Sequence, residues 1–190
     1  MATAQKVYRM LGNESLWNLA VKCHALFSAA EIPYSICGGL AVCLHGYQRN
    51  TVDLDLVIRP EDIDAVRAVL SDAGLVWDEL HAEFRTPEGI AVQFLIAGQK
   101  AGQGNDVTIP DPAGALNVEE REGLTVVRLS RLVEMKIACG MSNLRRTHKD
   151  FADVVELIAA RNLDESFARY IHKSLRAAFR ELVRNAQATG

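Results

Sequence analysis

Two carboxylates, Asp53 and Asp55, stand either side of Leu54 in the apolar run Thr51-Val-Asp-Leu-Asp-Leu-Val-Ile58. The run reads as a strand, where side chains alternate faces. Both acids then share one face, about 6–7 Å apart along the chain, while Val52, Leu54 and Leu56 turn to the other face and a core. Asp is depleted in strands, so two in one apolar strand call for an explanation. Neighbouring carboxylates repel and tend to hold a proton between them. A divalent cation removes the conflict. Hard oxygen donors at this spacing suit Mg²⁺, or Mn²⁺ in its place, bound through one or two carboxylates together with substrate phosphates. Upstream, Gly38-Gly39 lies between the strand Tyr34–Cys37 and a short helix. Missing side chains there let backbone N–H groups approach a phosphate. Arg49, just before the acid strand, is placed to pair with the carboxylates or with a phosphate. An Asp-x-Asp alone also fits a solvated strand face; the combination is what points to a site.

Periodicity supplies the elements that must hold these residues. Ser15–Ala30 predicts a helix, with Leu16, Leu19, Ala20, Cys23, Leu26 and Phe27 on one face. Strand Tyr34–Cys37, helix Gly39–His45 and strand Asp53–Ile58 follow. Pro60-Glu61-Asp62 opens a helix with proline and acids in its first turn. Leu75–Leu80 and Glu83–Thr86 read as short strands and Ile90–Ile96 as a third core strand. Residues 98–114, rich in Gly, Asp, Asn and Pro, predict a loop placed to act as a lid. Leu124–Leu129 is a further strand. Ser130 is expected to cap a helix from Arg131 to Gly140, Thr147 the next helix, and Asp164 a last one running to about Arg184.

Composition excludes several classes. The 190 residues carry a net charge of −3, with 49% hydrophobic and 24% charged, as in an ordinary globular chain. Residues 131–190 hold eleven Lys/Arg against seven Asp/Glu, a balance of +4, which leaves −7 for residues 1–130. No run is long and apolar enough for a membrane span, and no leader pattern stands at the N-terminus. The four cysteines form no CxxC pair, and reduced buried thiols imply a cytoplasmic protein.

Gly38-Gly39, the short helix, Arg49, Thr51 and Asp53-Leu54-Asp55 resemble the signature of the nucleotidyltransferase superfamily with the polymerase-beta-like core. The run Leu132–Asp153 resembles the helical half of its toxin-type, AbiEii-like branch. The resemblance implies a Mg²⁺-dependent enzyme that binds ATP or another NTP. It assigns Asp53 and Asp55 to the metal, and Gly38, Gly39, Arg49, Thr51 and Lys136 to the nucleotide. Lys136 would neutralise triphosphate charge. The further catalytic acid would be Asp153 or Asp150; Thr147-x-x-Asp150 also reads as a capping box, so Asp153 is the acid expected at the cleft. The superfamily often carries a third carboxylate on the following core strand. Here that position is Gln93, which can neither take a proton nor ligate Mg²⁺ well. Glu83 on the neighbouring strand is the substitute candidate.

The expected fold is α/β: a small mixed sheet flanked by helices over residues 1–129, then a helical part over 130–190, with the cleft between. The expected function is transfer of an NMP to a hydroxyl of RNA, protein or a small molecule, with a toxin–antitoxin role and an antitoxin-like partner as one setting. The alternative is an inactive protein of this fold that binds nucleotide or a partner protein. The basic turn Arg145, Arg146, His148 and Lys149 hints at an anionic ligand, since cations there oppose the helix dipole. Arg169, Lys173, Arg176, Arg180 and Arg184 would form one basic helix face able to meet RNA.

Overall fold

A computed structural model describes residues 3–188. Seven strands, β1 (Tyr34–Ile36), β2 (Asp53–Ile58), β3 (Val76–Asp78), β4 (Glu83–Arg85), β5 (Ala91–Ile96), β6 (Val118–Arg121) and β7 (Leu124–Val127), form one mixed sheet ordered β3-β4-β5-β2-β1-β7-β6. The helices are α1 (Ala4–Met10), α2 (Glu14–Ala29), α3 (Gly38–Leu44), α4 (Ile63–Asp72), α5 (Leu129–Ser142), α6 (Leu144–Arg161) and α7 (Arg176–Ala188). The expected α/β class is what the chain adopts.

β2 lies at the centre of the sheet. It runs antiparallel to β1 and parallel to β5, with Asp53 opposite Ala91 and Asp55 opposite Gln93. β4 returns antiparallel on the far side of β5, with Phe84 opposite Val92. Leu54 and Leu56 are fully buried, as the alternation predicts, and α2 packs on β2 and β7. Val52 does not join them. It sits in a bend ahead of the strand and is 79% exposed, because the alternation begins only at Asp53.

Several boundaries differ from the sequence expectation. α5 starts at Leu129 straight off β7, with Arg128 as its N-cap residue, not behind Ser130. α6 starts at Leu144, where the Asn143 side chain accepts the Arg145 N–H at 3.0 Å. Thr147 therefore lies inside the helix, and its hydroxyl donates to the Gly140 carbonyl at 2.7 Å. Gly140 lets α5 and α6 close together, since a Cβ there would stand 2.6 Å from the Phe151 ring. The expected last helix is broken. Asp164 caps a 3-10 turn over Glu165–Tyr170, a second covers Lys173–Leu175, and only then does α7 begin. The buried Glu134 carboxylate accepts the His172 N–H at 2.5 Å, which holds the chain out of helical register. Of the basic residues expected on one face, only Arg176, Arg180 and Arg184 share α7. Arg176 donates to the Ile171 carbonyl, Arg184 pairs with Glu165 at 3.2 Å, and Arg169 lies over the Tyr170 ring.

His45 ends α3 in full burial, its Nε2 2.8 Å from the Val127 carbonyl and its Nδ1 3.5 Å from Glu119. Burial lowers its pKa to about 4, against smaller raising effects from the Val127 carbonyl and Glu119. The folded protein thus binds fewer protons here than the unfolded chain between about pH 6.5 and 4, and stability is lost as pH falls through that window. Urea unfolding at stepped pH should show this loss in the wild type and a flatter profile in His45→Gln; equal slopes would remove His45 from the acid response.

Candidate active site

Asp53 and Asp55 do share a face of β2, and each is held by a different neighbour. Thr51, buried, donates its hydroxyl to Asp53 Oδ1 at 2.5 Å. Asp55 lies against Gly38, where a Cβ would stand 1.7 Å from Asp55 Oδ2; Gly38 also has φ +61. A Cβ on Gly39 would meet Thr51 at 2.7 Å. The glycine pair is thus needed to let the start of α3 close on the acid strand. The Asp55 carboxylate has no hydrogen-bond or ion-pair partner among the described residues. Burial pushes its carboxyl up, and the charge of Asp53 pushes the same way, while Lys136 opposes them. A half-buried carboxylate with no partner beside a second one has donor chemistry that suits a divalent cation.

The other predicted residues meet each other. Lys136 projects from α5 and is 6% exposed; its Nζ lies 2.6 Å from Asp153 and 3.2 Å from Asp150. Arg49 reaches both oxygens of Asp153 through Nη1 at 2.7 Å. Arg146, one turn before Asp150, donates to it at 3.1 Å. The result is a chain of alternating charge, Arg49–Asp153–Lys136–Asp150–Arg146. It fastens the segment ahead of β2 to α5 and α6. Arg49 pairs with Asp153 here, not with the strand carboxylates. A capping role for Asp150 is absent, since α6 begins six residues earlier.

A cavity of about 170 Å³ joins the two groups, bordered by Gly38, Asp55, Gln93, Lys136, Arg146 and Asp150. Asp150 borders it, whereas Asp153, the acid expected there, faces Arg49. Cys139 and Arg146 border both this cavity and a wide open groove of about 1120 Å³ under the 98–114 segment. That segment is fastened at Ala101, whose carbonyl accepts from Cys139 Sγ at 2.6 Å. Gln93 stands beside Asp55 as the register requires, and its amide donates to Glu83 at 2.8 Å. Glu83 is buried and also pairs with Arg85. The sequence placed Arg146 only in a basic turn suited to an anion and not beside Asp150; its spacing of four from Asp150 on a helix was the available signal for that pair.

A family model for aminoglycoside-2''-adenylyltransferase matches residues 20–151, a span that includes Gly38, Asp53, Asp55, Lys136 and Asp150. The chain belongs to the aminoglycoside-2''-adenylyltransferase family. Solved structures agree on the fold of this adenylyltransferase-family chain. The crystal structure of ANT(2'')-Ia in complex with adenylyl-2''-tobramycin is 17% identical, covering 88% of this chain and 98% of that one, with a TM-score of 0.58. The solution structure of ANT(2'')-Ia is 14% identical, covering 92% and 94%, with a TM-score of 0.55. An antigenic nucleotidyltransferase-like protein from Paracoccidioides brasiliensis is 18% identical, covering 88% and 87%, with a TM-score of 0.52. No curated protein sequence matches the chain. Membership of the family places the chain in the nucleotidyltransferase superfamily, and nucleotidyltransferase activity follows from it.

Removing one member of the buried ion chain strands its partners. Asp153→Ala leaves Arg49 without its ion pair and Lys136 with one acid, and should lower the unfolding free energy by about 3–5 kcal/mol in urea titration. A loss below about 1 kcal/mol would mean that the pair is slack. Asp55→Asn acts oppositely. The raised carboxyl binds its proton more tightly folded than unfolded, so the wild type loses stability as pH rises from the ordinary carboxylate range through that raised value. In chelator at pH 7, Asp55→Asn should raise Tm, and added Mg²⁺ should raise Tm of the wild type but not of this variant.

Proposed function

We propose that this chain transfers a nucleoside monophosphate, from ATP in the first instance, to a hydroxyl acceptor. The observation that carries this reading is Asp55, half-buried and unpartnered beside Asp53, on a cavity that Gly38 and Lys136 also border. Asp53 and Asp55 are the residues that would hold a divalent cation, Mg²⁺ or Mn²⁺; once bound, it would neutralise charge at the reacting phosphate. The chain's own groups do the rest. Lys136 spends two of its three N–H donors on Asp150 and Asp153, which leaves one for a phosphate oxygen in the cavity. Arg146 stands where the cavity meets the wide groove, with charge for the departing pyrophosphate. Gly38 borders the cavity, and its missing side chain lets Asp55 lie against it. Thr51 fixes Asp53. Positioning of the acceptor hydroxyl against the α-phosphorus supplies much of the rate. In this reading residues 1–129 form the catalytic core and 130–190 the helical part that closes the cleft.

The relatives' names make an aminoglycoside hydroxyl one acceptor. The wide groove supports a less cationic one. Its charged lining is Lys100, Arg145 and Arg146 against Asp106, and Asp106 already pairs with Lys100 at 3.3 Å. A polyammonium sugar finds no free carboxylate there. RNA ends, protein hydroxyls and small alcohols stay within the reading. RNA contact through the C-terminal helix has little support, since its basic residues are divided between three short elements. The toxin–antitoxin setting and an antitoxin-like partner rest on the series Lys136 to Asp153, and the buried ion chain gives that series a structural use of its own. Free, mostly buried cysteines support a reducing, cytoplasmic setting. The rival reading, nucleotide binding without turnover, is favoured by the neutral Gln93.

The test is incubation with α-labelled ATP and Mg²⁺ in the presence of tobramycin, total RNA or protein. Label should move to one of them, and transfer should drop to background in Asp53→Ala. Nucleotide binding by the wild type with no transfer to any acceptor would favour the rival.

A further inference from the structure

Moving an NMP onto a hydroxyl requires a group that takes the hydroxyl proton, and the residue beside Asp55 in the sheet is an amide. Two spaces adjoin Gln93: the cavity at Asp55, and a groove of about 330 Å³ bordered by Asp53, His81, Glu83 and Arg85. Four carboxylates line these two spaces. Asp53 and Asp55 form the pair read above as the cation site. Asp150 is held by Lys136 and Arg146. That leaves Glu83, which meets one cation, Arg85, and the neutral Gln93 amide, where Asp150 is held between two cations.

The sheet register puts Glu83 in line with the acid pair. Asp55 lies opposite Gln93, and continuing the β4–β5 register sets Gln93 opposite Glu83, so one row crosses three strands. An ionised carboxylate only accepts hydrogen bonds, so the Gln93 amide nitrogen must face Glu83. That turns the Gln93 oxygen away from Glu83. Glu83 is 3% exposed and pairs with the guanidinium of Arg85.

We propose that Glu83 is the proton acceptor for the attacking hydroxyl, and that Gln93 is the positioning residue that aims it. The inference rests on the transfer reading above. In the step, the acceptor O–H gives its proton to the Glu83 carboxylate, and the oxygen forms a bond to the α-phosphorus. The bond from that phosphorus to the bridging oxygen breaks, and pyrophosphate departs with the electron pair. Glu83 then returns its proton to water through the groove.

The experiment compares wild type, Glu83→Gln and the exchange Glu83→Gln with Gln93→Glu, using whichever acceptor takes label. Proton-acceptor loss should lower kcat about 100-fold or more in Glu83→Gln, with KM for ATP changed by less than about twofold. The exchange variant keeps one carboxylate and one amide in the row. It should recover at least about tenfold of the lost kcat. If Glu83 only held Arg85, which Asp78 also pairs with, Glu83→Gln would lower Tm and the exchange would restore no turnover; that result overturns the proposal, as does an undiminished kcat in Glu83→Gln. Should Glu83→Gln fail to fold, the exchange variant decides: a folded protein turning over within about tenfold of wild type supports the proposal, and a folded inactive one overturns it. An active wild type with an equally active Glu83→Gln removes this inference alone. A wild type that transfers nothing removes the transfer reading and this inference together.

Discussion

A lysine buried to 6% exposure has to be neutralised, and much of the site's arrangement follows from how that is done. An ammonium taken from water costs several kcal/mol, recovered only with close opposite charge and satisfied donors. α6 supplies two acids three residues apart, Asp150 and Asp153, on one helix face. Each of those acids is then buried too and draws in an arginine, Arg146 from its own helix and Arg49 from the segment leading into β2. The ion chain therefore spans the joint between the sheet and the helices. A register shift in α6 would strand the buried charges Lys136, Asp150 and Asp153. Gly140 and Asn143 serve the same end: one lets the helices touch, and the other starts α6 where both acids face Lys136.

The strand side of the cleft is governed by sterics. Asp55 and the first residue of α3 compete for one volume, and only a residue without Cβ resolves the competition. Gly38 also takes a positive φ, which lets the chain turn from β1 into α3 without strain. The glycines thus answer a packing demand first. The space their missing side chains leave is taken by the Asp55 carboxylate and the Thr51 side chain.

The sequence could disclose this much because strand alternation and glycine placement are local. Asp53, Asp55, Leu54 and Leu56 went to the faces that a period of two assigns. Lys136, Asp150 and Asp153 were singled out as site residues, the lysine for a triphosphate and the acids for catalysis, but not as partners of one another. What was hidden was non-local. That Arg49 would meet Asp153, 104 residues away, depends on how α6 crosses the core. α1 is seven residues long and held by the Glu122 carboxylate, which accepts the Ala4 N–H at 2.7 Å, a partner no window of sequence includes. The C-terminal stripe failed for the same reason. Its spacing of three and four was genuine, but a distant carboxylate, Glu134, captured one backbone N–H and broke the period.

Charge around the cavity closes the argument. Asp53, Asp55, Asp150 and Asp153 stand against Arg49, Lys136 and Arg146, so the ion-free site carries one surplus negative charge. The surplus falls on Asp55, the acid with no partner, and burial makes it costly there. On the proposed reading, a dication held by Asp53 and Asp55 would convert the balance to one positive charge beside the cavity assigned to the phosphates. The same residues would then repel a phosphate chain without the ion and attract it with the ion. The buried ion chain sharpens this contrast. Because Asp150 and Asp153 are already paired with Lys136 and the arginines, they would not compete with Asp53 and Asp55 for the cation, and the change of sign would be confined to the strand carboxylates.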